Sequence, residues 1–333
     1  MSQPEPQPLA TPILEVAELR KAFPVRSGFL QRMTGSITAV NGVSFSIARG
    51  QTLGLVGESG CGKSTVARMV LRLLAPDSGV IRFKGEDISR LSQHALKPLR
   101  RQIQIIFQDP YGSLNPRMSI GWSIAEGLRT IGITATDAQH RRVAELLEMV
   151  GLPPAYHNRY PHEFSGGQRQ RVGIARALSV SPSLLVCDEP ISALDVSIQA
   201  QIINLLKDLQ DQLGLSYLFI SHDLNVVSYL CSHVCVMNSG QIVESAPAES
   251  LFDRPRHPYT RALLSAIPDA DASLQENAAA QEVARPDDAH LPGACVYADE
   301  CTGTDPRCEK PPPMVTVAPG HQVRCWREAE KPK

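Results

Sequence analysis

Short apolar runs alternate along the chain with segments whose apolar residues recur at helical spacing. Residues 52–56, 183–189 and 216–223 form compact apolar runs, which are typical of buried parallel strands. In residues 40–47, apolar and polar positions alternate, as in a half-buried strand. Isoleucine and leucine recur at helical spacing over residues 198–213, so we expect a helix to connect the second run to the third. The pattern therefore predicts an α/β fold with a doubly wound sheet.

A second pattern starts near residue 110 and continues to residue 178. It contains an amphipathic helix around residues 143–150 and no strand pattern, which indicates a helical subdomain, residues 110–178, inserted in the α/β core. Residues 268–291 are acidic, rich in alanine and without apolar periodicity, so we interpret them as a linker. They lead to a cysteine-rich C-terminal extension over residues 292–333.

Composition and charge restrict the class of protein. The 333 residues, 43% of them hydrophobic, are enough for one large α/β domain with an appendage. A formal net charge of -1 and short basic clusters give a nucleic-acid role no electrostatic support. Residues 1–12 are polar and proline-rich, unlike a secretory signal, and we interpret them as a disordered leader. No apolar stretch of the sequence is long enough to cross a bilayer. We therefore expect the chain in a reducing cytoplasm, where cysteine clusters more often hold metal.

Residues 57–65, with the sequence GESGCGKST, fit the pattern G-x-x-x-x-G-K-[ST] between a strand and an apolar helix. Gly60 and Gly62 lack a Cβ, so this loop can wrap a phosphate group with its backbone N–H groups turned inward. The following helix adds the positive end of its dipole. The alternative is a chance glycine-rich turn. Such a turn would not need the lysine, the hydroxyl residue or the flanking strand and helix, so their presence favours a phosphate-binding loop. Cys61 occupies a variable position of the pattern, and we interpret it as a small filler residue.

Four polar side chains supply the chemistry that such a loop needs. We expect Lys63 to reach the β and γ phosphates and the Ser64 hydroxyl to ligate magnesium. Asp188 and Glu189 end a buried strand, where adjacent carboxylates are costly unless a cation or a reacting water uses them. Asp188 would hold the magnesium, and Glu189 would act as general base on the attacking water. An isolated Asp-Glu pair is more often a strand end that faces solvent. Because this pair occurs in a chain with a phosphate-binding loop, we favour the catalytic interpretation.

The chain also carries SGGQ at residues 165–168, FQDP at residues 107–110 and SALD at residues 192–195, and with these motifs it resembles the ATP-binding subunits of ABC transporters. The signature SGGQ, residues 165–168, precedes the acidic pair, Gln108 in FQDP matches the Q-loop, and SALD, residues 192–195, matches the D-loop. His222 matches the switch histidine, and Phe23 stands where the family has an aromatic residue that stacks on adenine. A lone histidine is usually structural and a lone SGGQ is usually a helix cap. Together, in order and at the family spacing, these motifs are specific.

The resemblance covers residues 13–267 and implies a P-loop NTPase fold of the ABC type, with a RecA-like core, an antiparallel β subdomain and the inserted helical subdomain. It also implies that two such domains face head to tail and hold ATP between the P-loop of one and the signature of the other. His222 would contact the γ-phosphate, and Gln108 the magnesium and the attacking water. The residues expected to bind ATP are Phe23, Gly57, Glu58, Ser59, Gly60, Cys61, Gly62, Lys63, Ser64, Thr65, Ser165, Gly166, Gly167 and Gln168. The expected magnesium ligands are Ser64, Gln108 and Asp188, and the expected catalytic residues are Glu189, His222 and Gln108.

Residues 107–118 and 257–268 resemble the dipeptide/oligopeptide importer subfamily. This implies an ATP-hydrolysing subunit that pairs with a second ATP-binding subunit and docks on two permease subunits at the cytoplasmic face of the inner membrane. An extracytoplasmic solute-binding protein would deliver peptides, and nickel chelates or glutathione remain alternative solutes. The rival is a soluble ABC ATPase of translation or DNA repair. Such proteins usually carry two nucleotide-binding domains or a long coiled-coil insertion, and the sequence shows neither.

Residues just after the Q-loop are candidates for gripping a permease coupling helix, because the family arrangement places this region beside the γ-phosphate. We select Tyr111, Leu114 and Met118. The alternative is that these side chains belong to the core of the helical subdomain.

Four cysteines, Cys295, Cys301, Cys308 and Cys325, fall in the C-terminal extension. Their spacings are wider than the C-x₂₋₄-C knuckles that zinc favours, and a reducing compartment disfavours disulfides. Iron-sulfur clusters tolerate wider ligand spacings. The extension is similar to one that binds a [4Fe-4S] cluster, which implies these four cysteines as its ligands. Zinc, free thiols and disulfides remain alternatives.

Overall fold

A computed structural model describes residues 11–27, 32–109, 112, 114–266, 294–304 and 306–329. The predicted linker, residues 268–291, and the first ten residues of the predicted leader lie outside the described residues. The strands are β1 Leu14–Ser27, β2 Arg32–Ile47, β3 Thr52–Val56, β4 Ser78–Phe83, β5 Glu86–Asp87, β6 Ile103–Ile106, β7 Leu184–Asp188, β8 Ser216–Ile220, β9 His233–Asn238, β10 Gln241–Pro247, β11 Met314–Ala318 and β12 His321–Arg324.

The helices surround and connect these strands. They are α1 Lys63–Val70, α2 Lys97–Gln102, α3 Ile120–Thr130, α4 Thr136–Met149, α5 Gly166–Leu178, α6 Val196–Leu213, α7 Leu224–Leu230, α8 Ala248–Asp253, α9 Pro258–Ser265 and α10 Trp326–Ala329. Short 3-10 turns span Pro154–Asn158, Pro161–Glu163, Ala298–Glu300 and Pro306–Glu309. In the part of the chain that the structure describes, no helix is both long enough and apolar enough to span a membrane.

The larger sheet has eight strands in the order β11-β12-β10-β9-β3-β8-β7-β6. Its central part, from β9 to β6, is parallel, and the three predicted buried strands correspond to β3, β7 and β8. In β3 and β8 every residue is buried. The carboxyl ends of parallel strands meet at one edge of a sheet. This edge therefore collects the loops that follow β3, β6, β7 and β8, which carry the predicted catalytic residues.

The smaller sheet is antiparallel, with the order β2-β1-β4-β5. The predicted alternation in residues 40–47 is confirmed, since Val43 and Ile47 are fully buried and the intervening Ser44 and Ser46 are exposed. The strand is longer than the pattern indicates. It extends back to Arg32 because β1 continues to pair with it, although residues 35–38 are exposed and carry no burial signal.

The helical subdomain consists of α3, α4 and α5, which lie between β6 and β7 along the chain. Val143, Leu146 and Leu147 of α4 are fully buried, as the amphipathic pattern predicts. They share one apolar cluster with residues of α3, α5 and the central sheet. The subdomain therefore packs on the core of the α/β domain.

The C-terminal extension joins the larger sheet. β12 pairs with β10, and the buried Val323 of β12 lies opposite Glu244. His321 Nε2 lies 2.7 Å from Glu244 Oε1, and both side chains are buried. The sequence predicts an appended unit beyond a linker, with too few large apolar residues for a core of its own. The structure shows how the extension is stabilised, since it shares the core of the main domain, where Tyr297 is buried.

Candidate functional site

The phosphate-binding loop connects β3 to α1. Gly57 has φ of 148° and Gly62 has φ of 107°, in the region that favours glycine. A Cβ on Gly57 would lie 2.1 Å from the carbonyl oxygen of Met237, and one on Gly62 would lie 2.2 Å from that of Ala39. Gly60 also has a positive φ, but open space surrounds it. Close packing thus requires glycine at Gly57 and Gly62, while at Gly60 only backbone conformation requires it.

Lys63 and Ser64 start α1 and point to different partners. The buried Lys63 Nζ donates to the carbonyl oxygens of Gly57 and Glu58, both at 2.7 Å. The Ser64 hydroxyl donates to Asp188 Oδ1 at 3.0 Å. Burial raises the pKa of Asp188, and the nearby Glu189 raises it further, while the Ser64 hydrogen bond lowers it. A hydroxyl and a carboxylate placed side by side are the hard oxygen donors that magnesium prefers, so these two residues fit a magnesium site.

Glu189 is the meeting point of the predicted catalytic residues. Gln108 Nε2 donates to Glu189 Oε2 at 3.0 Å, and His222 Nδ1 lies 3.5 Å from the same oxygen. The Glu189 side chain is 18% exposed and the His222 side chain 60% exposed. Glu189 has φ of 47°, a strained conformation for a non-glycine residue, and its N–H donates to the Ile220 carbonyl. The structure therefore brings together side chains that are distant in sequence around one carboxylate oxygen.

A pocket lies beside Glu189. Its lining residues are Glu189, Ile191, Ser192, Gln199, Ser221, His222 and Asp223. Ser192 belongs to the D-loop, and its hydroxyl donates to the Glu189 carbonyl oxygen at 3.1 Å. Ser221 and Gln199 also line this pocket, although neither belongs to a motif that marks it in the sequence. A residue of the D-loop is thus hydrogen-bonded directly to the backbone of the predicted general base.

The signature residues form the start of α5. Ser165 is the N-cap, and its hydroxyl accepts from the Gln168 N–H while the Gln168 side chain accepts from the Ser165 N–H. A Cβ on Gly167 would lie 2.4 Å from Ile198 of α6. The polar groups of Ser165 and Gln168 bond to each other and within α5. A helix N-terminus of this kind is a ready anion site.

The remaining predicted ATP-binding residues lie at separate places. Phe23 is on β1, 39% exposed, with Lys21 Nζ 5.8 Å from its ring centroid. Glu58 and Ser59 are exposed in the P-loop, and Thr65 is half-buried on α1. An exposed aromatic ring is accessible for stacking, but no described contact joins Phe23 to the P-loop. Its adenine role stays a prediction.

Cys61 of the P-loop is buried. Burial raises the pKa of its thiol, and the nearby Lys63 lowers it by less. A thiol with a raised pKa is a poor nucleophile at neutral pH. The geometry agrees with the interpretation of Cys61 as a filler residue.

The four cysteines of the extension line one pocket, together with His257, Pro258, Tyr297, Gly303, Trp326 and Arg327. All four are half-buried free thiols, and the Cys295 N–H donates to the Cys308 carbonyl at 2.8 Å. Burial raises the pKa of Cys295 and of Cys325. Over the described ranges, no group of three or more His, Cys, Asp or Glu side chains is positioned to hold a metal ion. The cysteines are therefore gathered at one site, but not in ligating geometry.

Sequence reasoning missed a tyrosine beside the P-loop. The Glu58 N–H donates to the Tyr259 hydroxyl oxygen at 3.0 Å, and Tyr259 is almost fully buried. His257 caps the helix that carries it, since His257 Nδ1 accepts from the Tyr259 N–H at 3.1 Å. Burial lowers the pKa of His257 to about 4, so its ring is neutral at physiological pH. The stretch HPY, residues 257–259, is a visible signal, but sequence alone does not reveal its contact with the P-loop.

Two family models match the chain. One, described as ABC transporter, matches residues 40–192, and the other, described as oligopeptide/dipeptide transporter, C-terminal region, matches residues 243–308. The second match includes Tyr259 and three of the four tail cysteines.

The chain is similar to curated proteins over nearly its whole length. It is 49% identical to the oligopeptide transport ATP-binding protein AppF of Bacillus subtilis, covering 94% of this chain and 96% of that protein. It is 50% identical to a putative peptide import ATP-binding protein of Brucella ovis, covering 96% and 98%. The glutathione import ATP-binding protein GsiA of Pectobacterium atrosepticum is 54% identical, covering 80% of this chain and 43% of that protein.

Solved structures show the same fold. The structure of cbiO1 from Clostridium perfringens, part of the ABC transporter complex cbiONQ, gives a TM-score of 0.62 at 29% identity, covering 73% of this chain and 91% of that chain. A dimer of the ATP-binding cassette MJ0796 in a post-hydrolysis state, bound to ADP and Pi, gives a TM-score of 0.63 at 26% identity, covering 71% and 98%.

Proposed function

The chain belongs to the ATP-binding subunits of oligopeptide and dipeptide ABC transporters, and from this premise we propose that it hydrolyses ATP to power peptide import through separate permease subunits. The observation that carries the proposal is the convergence of Gln108 and His222 on Glu189, next to the Ser64 and Asp188 pair. This arrangement has the parts that hydrolysis of a bound nucleoside triphosphate requires.

In the proposed reaction, Lys63 and the P-loop N–H groups hold the β and γ phosphates. Ser64 and Asp188, with Gln108 as a further ligand, would hold a magnesium ion, which would neutralise phosphate charge when bound. Glu189 Oε2 accepts a proton from the attacking water as the water oxygen bonds to the γ phosphorus and the bond to ADP breaks. His222, whose Nδ1 lies 3.5 Å from the same Glu189 oxygen, would contact the γ-phosphate.

A second ATP-binding subunit completes the proposed site. The start of α5 is capped by its own side chains and offers helix N–H groups at Gly166 and Gly167 to an anion that arrives from outside the chain. We infer that this anion is the γ-phosphate on the P-loop of a partner subunit, either a copy of this chain or a homologue. The dimeric ATP-binding cassette among the solved neighbours supports the pairing of two such subunits.

The remaining partners follow from the importer assignment. The chain would dock on two permease subunits at the cytoplasmic face of the inner membrane, and an extracytoplasmic solute-binding protein would supply the solute. Relatives named for oligopeptide and peptide import support peptides as the solute class. The relative named for glutathione import favours glutathione, itself a small peptide, as a specific alternative.

Fractionation of cells tests the partner assignment. The chain should appear in the membrane fraction only when its permeases are co-expressed, and pull-down of the native complex should recover a solute-binding protein. A chain that remains in the soluble fraction with its permeases present, or that sediments with ribosomes, would contradict the importer assignment.

The surface that contacts the permeases needs one correction. Leu114 is 3% exposed and belongs to the apolar core, so it cannot grip a partner. Met118 is half-buried, and Tyr111 lies outside the described residues. Large exposed apolar side chains nearby, Phe107 and Trp122, are better candidates because exposed apolar surface marks interaction sites.

We expect cysteines introduced at Phe107 and Trp122 to cross-link to cysteines on the cytoplasmic loops of the permease, with a yield that changes when ATP is added. Leu213→Cys provides the matched control, since Leu213 is an exposed apolar residue at the end of α6, outside the helical subdomain. Cross-linking measured by gel shift tests this surface. Equal yields at the three positions, insensitive to nucleotide, would contradict the placement.

We also propose that the extension holds a [4Fe-4S] cluster. The donor set fits, because four thiols from separate segments line one pocket, and thiolates are the ligands of such clusters. The four side chains would have to move to reach ligating geometry, since the described residues show no preformed metal site. When bound, the cluster would cross-link the parts of the extension that carry its four cysteine ligands.

Anaerobically purified protein should therefore be brown and contain iron and acid-labile sulfide in about equal amounts. Cys301→Ala should lose this colour because one of four ligands is missing. Cys231→Ala, a change at a buried core cysteine outside the extension, should retain it. Visible absorption together with iron and zinc analysis makes the measurement. A colourless preparation with stoichiometric zinc would refute the cluster and leave the ATPase assignment intact.

A further inference from the structure

A pair of buried tyrosines lies between the cysteine pocket and the phosphate-binding loop. Tyr297, in the extension, lines the pocket of the four cysteines. Its ring packs edge-on against Tyr259 with ring centroids 5.4 Å apart. The Tyr259 hydroxyl oxygen accepts the Glu58 N–H of the P-loop at 3.0 Å. Direct contacts therefore lead from the cysteine pocket to the nucleotide site within one chain.

The contact at the P-loop fixes a single peptide unit. The Gly57 carbonyl and the Glu58 N–H belong to the same planar peptide group. Lys63 Nζ donates to the Gly57 oxygen at 2.7 Å, while Tyr259 accepts from the Glu58 nitrogen on the opposite side. Rotation of this peptide would break both bonds. The Tyr259 hydroxyl thus sets the orientation of the carbonyl that positions the lysine.

Tyr259 is itself held firmly. It is 2% exposed and lies in the first turn of α9, whose N-cap is His257. The His257 N–H donates to Glu244 Oε2 at 2.9 Å, and the Arg256 N–H donates to the other oxygen of this buried carboxylate at 2.8 Å. The same Glu244 oxygen lies 2.7 Å from His321 Nε2 of the extension. The helix that carries Tyr259 is therefore anchored on a residue that also binds the extension.

The extension contributes an aromatic contact to the ring of Tyr259. Tyr297 provides this contact and is 9% exposed. The ring of His257 also lies near the ring of Tyr297, with centroids 6.0 Å apart. Edge-on aromatic pairs are favourable and define the position of both rings. Tyr297 lies between Cys295 and Cys301 in sequence and lines the same pocket as the four cysteines.

We propose that Tyr259 is a positioning residue of the phosphate-binding loop, and that Tyr297 of the C-terminal extension supports nucleotide binding by holding Tyr259 in place. The proposal assigns a role to the HPY stretch and to the extension that goes beyond the importer function. It rests on the ATP binding of this chain and does not depend on which metal, if any, the cysteines hold.

Tyr259→Phe keeps the ring and removes the hydroxyl, so Glu58 loses its acceptor. The dissociation constant for ATP, measured on the full-length chain by calorimetry, should rise about 2- to 10-fold, the range that one neutral hydrogen bond contributes. In the assembled complex, KM for ATP should rise similarly while kcat stays nearly constant, because the lost contact acts on bound ATP and on the transition state alike.

Tyr217→Phe is the matched control. Tyr217 is another fully buried tyrosine. Its hydroxyl donates to the Leu206 carbonyl oxygen at 2.7 Å, and neither residue belongs to the P-loop. This variant should lower the melting temperature and leave ATP affinity unchanged. An unchanged ATP affinity in Tyr259→Phe would overturn the proposal, as would an equal loss of affinity in the control. A wild-type chain that fails to bind ATP would instead refute the ATPase assignment itself.

The role of Tyr297 is tested by a double-mutant cycle. Tyr297→Leu should weaken ATP binding when Tyr259 is present and cause no further loss in the Tyr259→Phe background, because both changes act through one hydroxyl. Additive losses in the double variant would show that Tyr297 does not act through Tyr259 and would overturn that part of the proposal.

Discussion

Glu189→Gln is expected to lower ATP turnover in the assembled transporter by about 100-fold or more, the contribution of a general base. The amide keeps the shape of the side chain and can still bond to Gln108, whose Nε2 lies 3.0 Å from Glu189 Oε2. It cannot accept a proton from water. ATP affinity should stay close to that of the wild type, and the variant should accumulate as an ATP-bound dimer.

Steady-state phosphate release and size-exclusion chromatography with ATP measure these two effects. Glu145→Gln is the matched control, since Glu145 is an exposed carboxylate of α4 paired with Arg142. Its turnover should equal that of the wild type. If Glu189→Gln hydrolyses ATP at the wild-type rate, Glu189 is not the general base.

Lys63→Ala should abolish measurable ATP binding, with the dissociation constant raised by about 100-fold or more, because charge-assisted bonds to phosphate are lost. The buried Lys63 ammonium is already held at the loop by two carbonyl oxygens at 2.7 Å, on the loop where we propose that the phosphates bind. This variant therefore separates a binding defect from the chemical defect of Glu189→Gln.

Binding of a fluorescent ATP analogue provides the measurement. Lys207→Ala removes an exposed ammonium from α6, where it contacts Tyr229, and should bind ATP normally. A Lys63→Ala chain that binds ATP as tightly as the wild type would remove Lys63 from the phosphate site.

The positions of the proposed catalytic residues Glu189 and His222 could be predicted because each lies at the end of a short apolar run. Buried parallel strands are recognisable from local composition, and their carboxyl ends meet at one sheet edge. Placing Asp188, Glu189 and His222 at the ends of such runs is therefore enough to predict that they lie together. The pairing of Ser64 with Asp188 also follows from the motif that contains the serine.

The extension could not be predicted in the same way, because its structure depends on contacts far along the chain. His321 and Glu244 are 77 residues apart, and neither position carries a local sign that they pair. Leu114 shows a different difficulty, because its local sequence fits two interpretations. An apolar residue in a loop after the Q-loop suits either a core or a docking surface. Only its burial in the apolar cluster decides for the core. The contact of Tyr259 with Glu58 likewise spans 201 residues.

The transport assignment implies that hydrolysis at Glu189 and movement of peptide are coupled. Vesicles that contain this chain, its permeases and the solute-binding protein measure that coupling directly, with labelled peptides and glutathione as solutes. We predict ATP-dependent accumulation of solute with the wild-type chain and none with Glu189→Gln. Sustained ATP hydrolysis with no transport of any of these solutes, and no stimulation by them, would contradict the account.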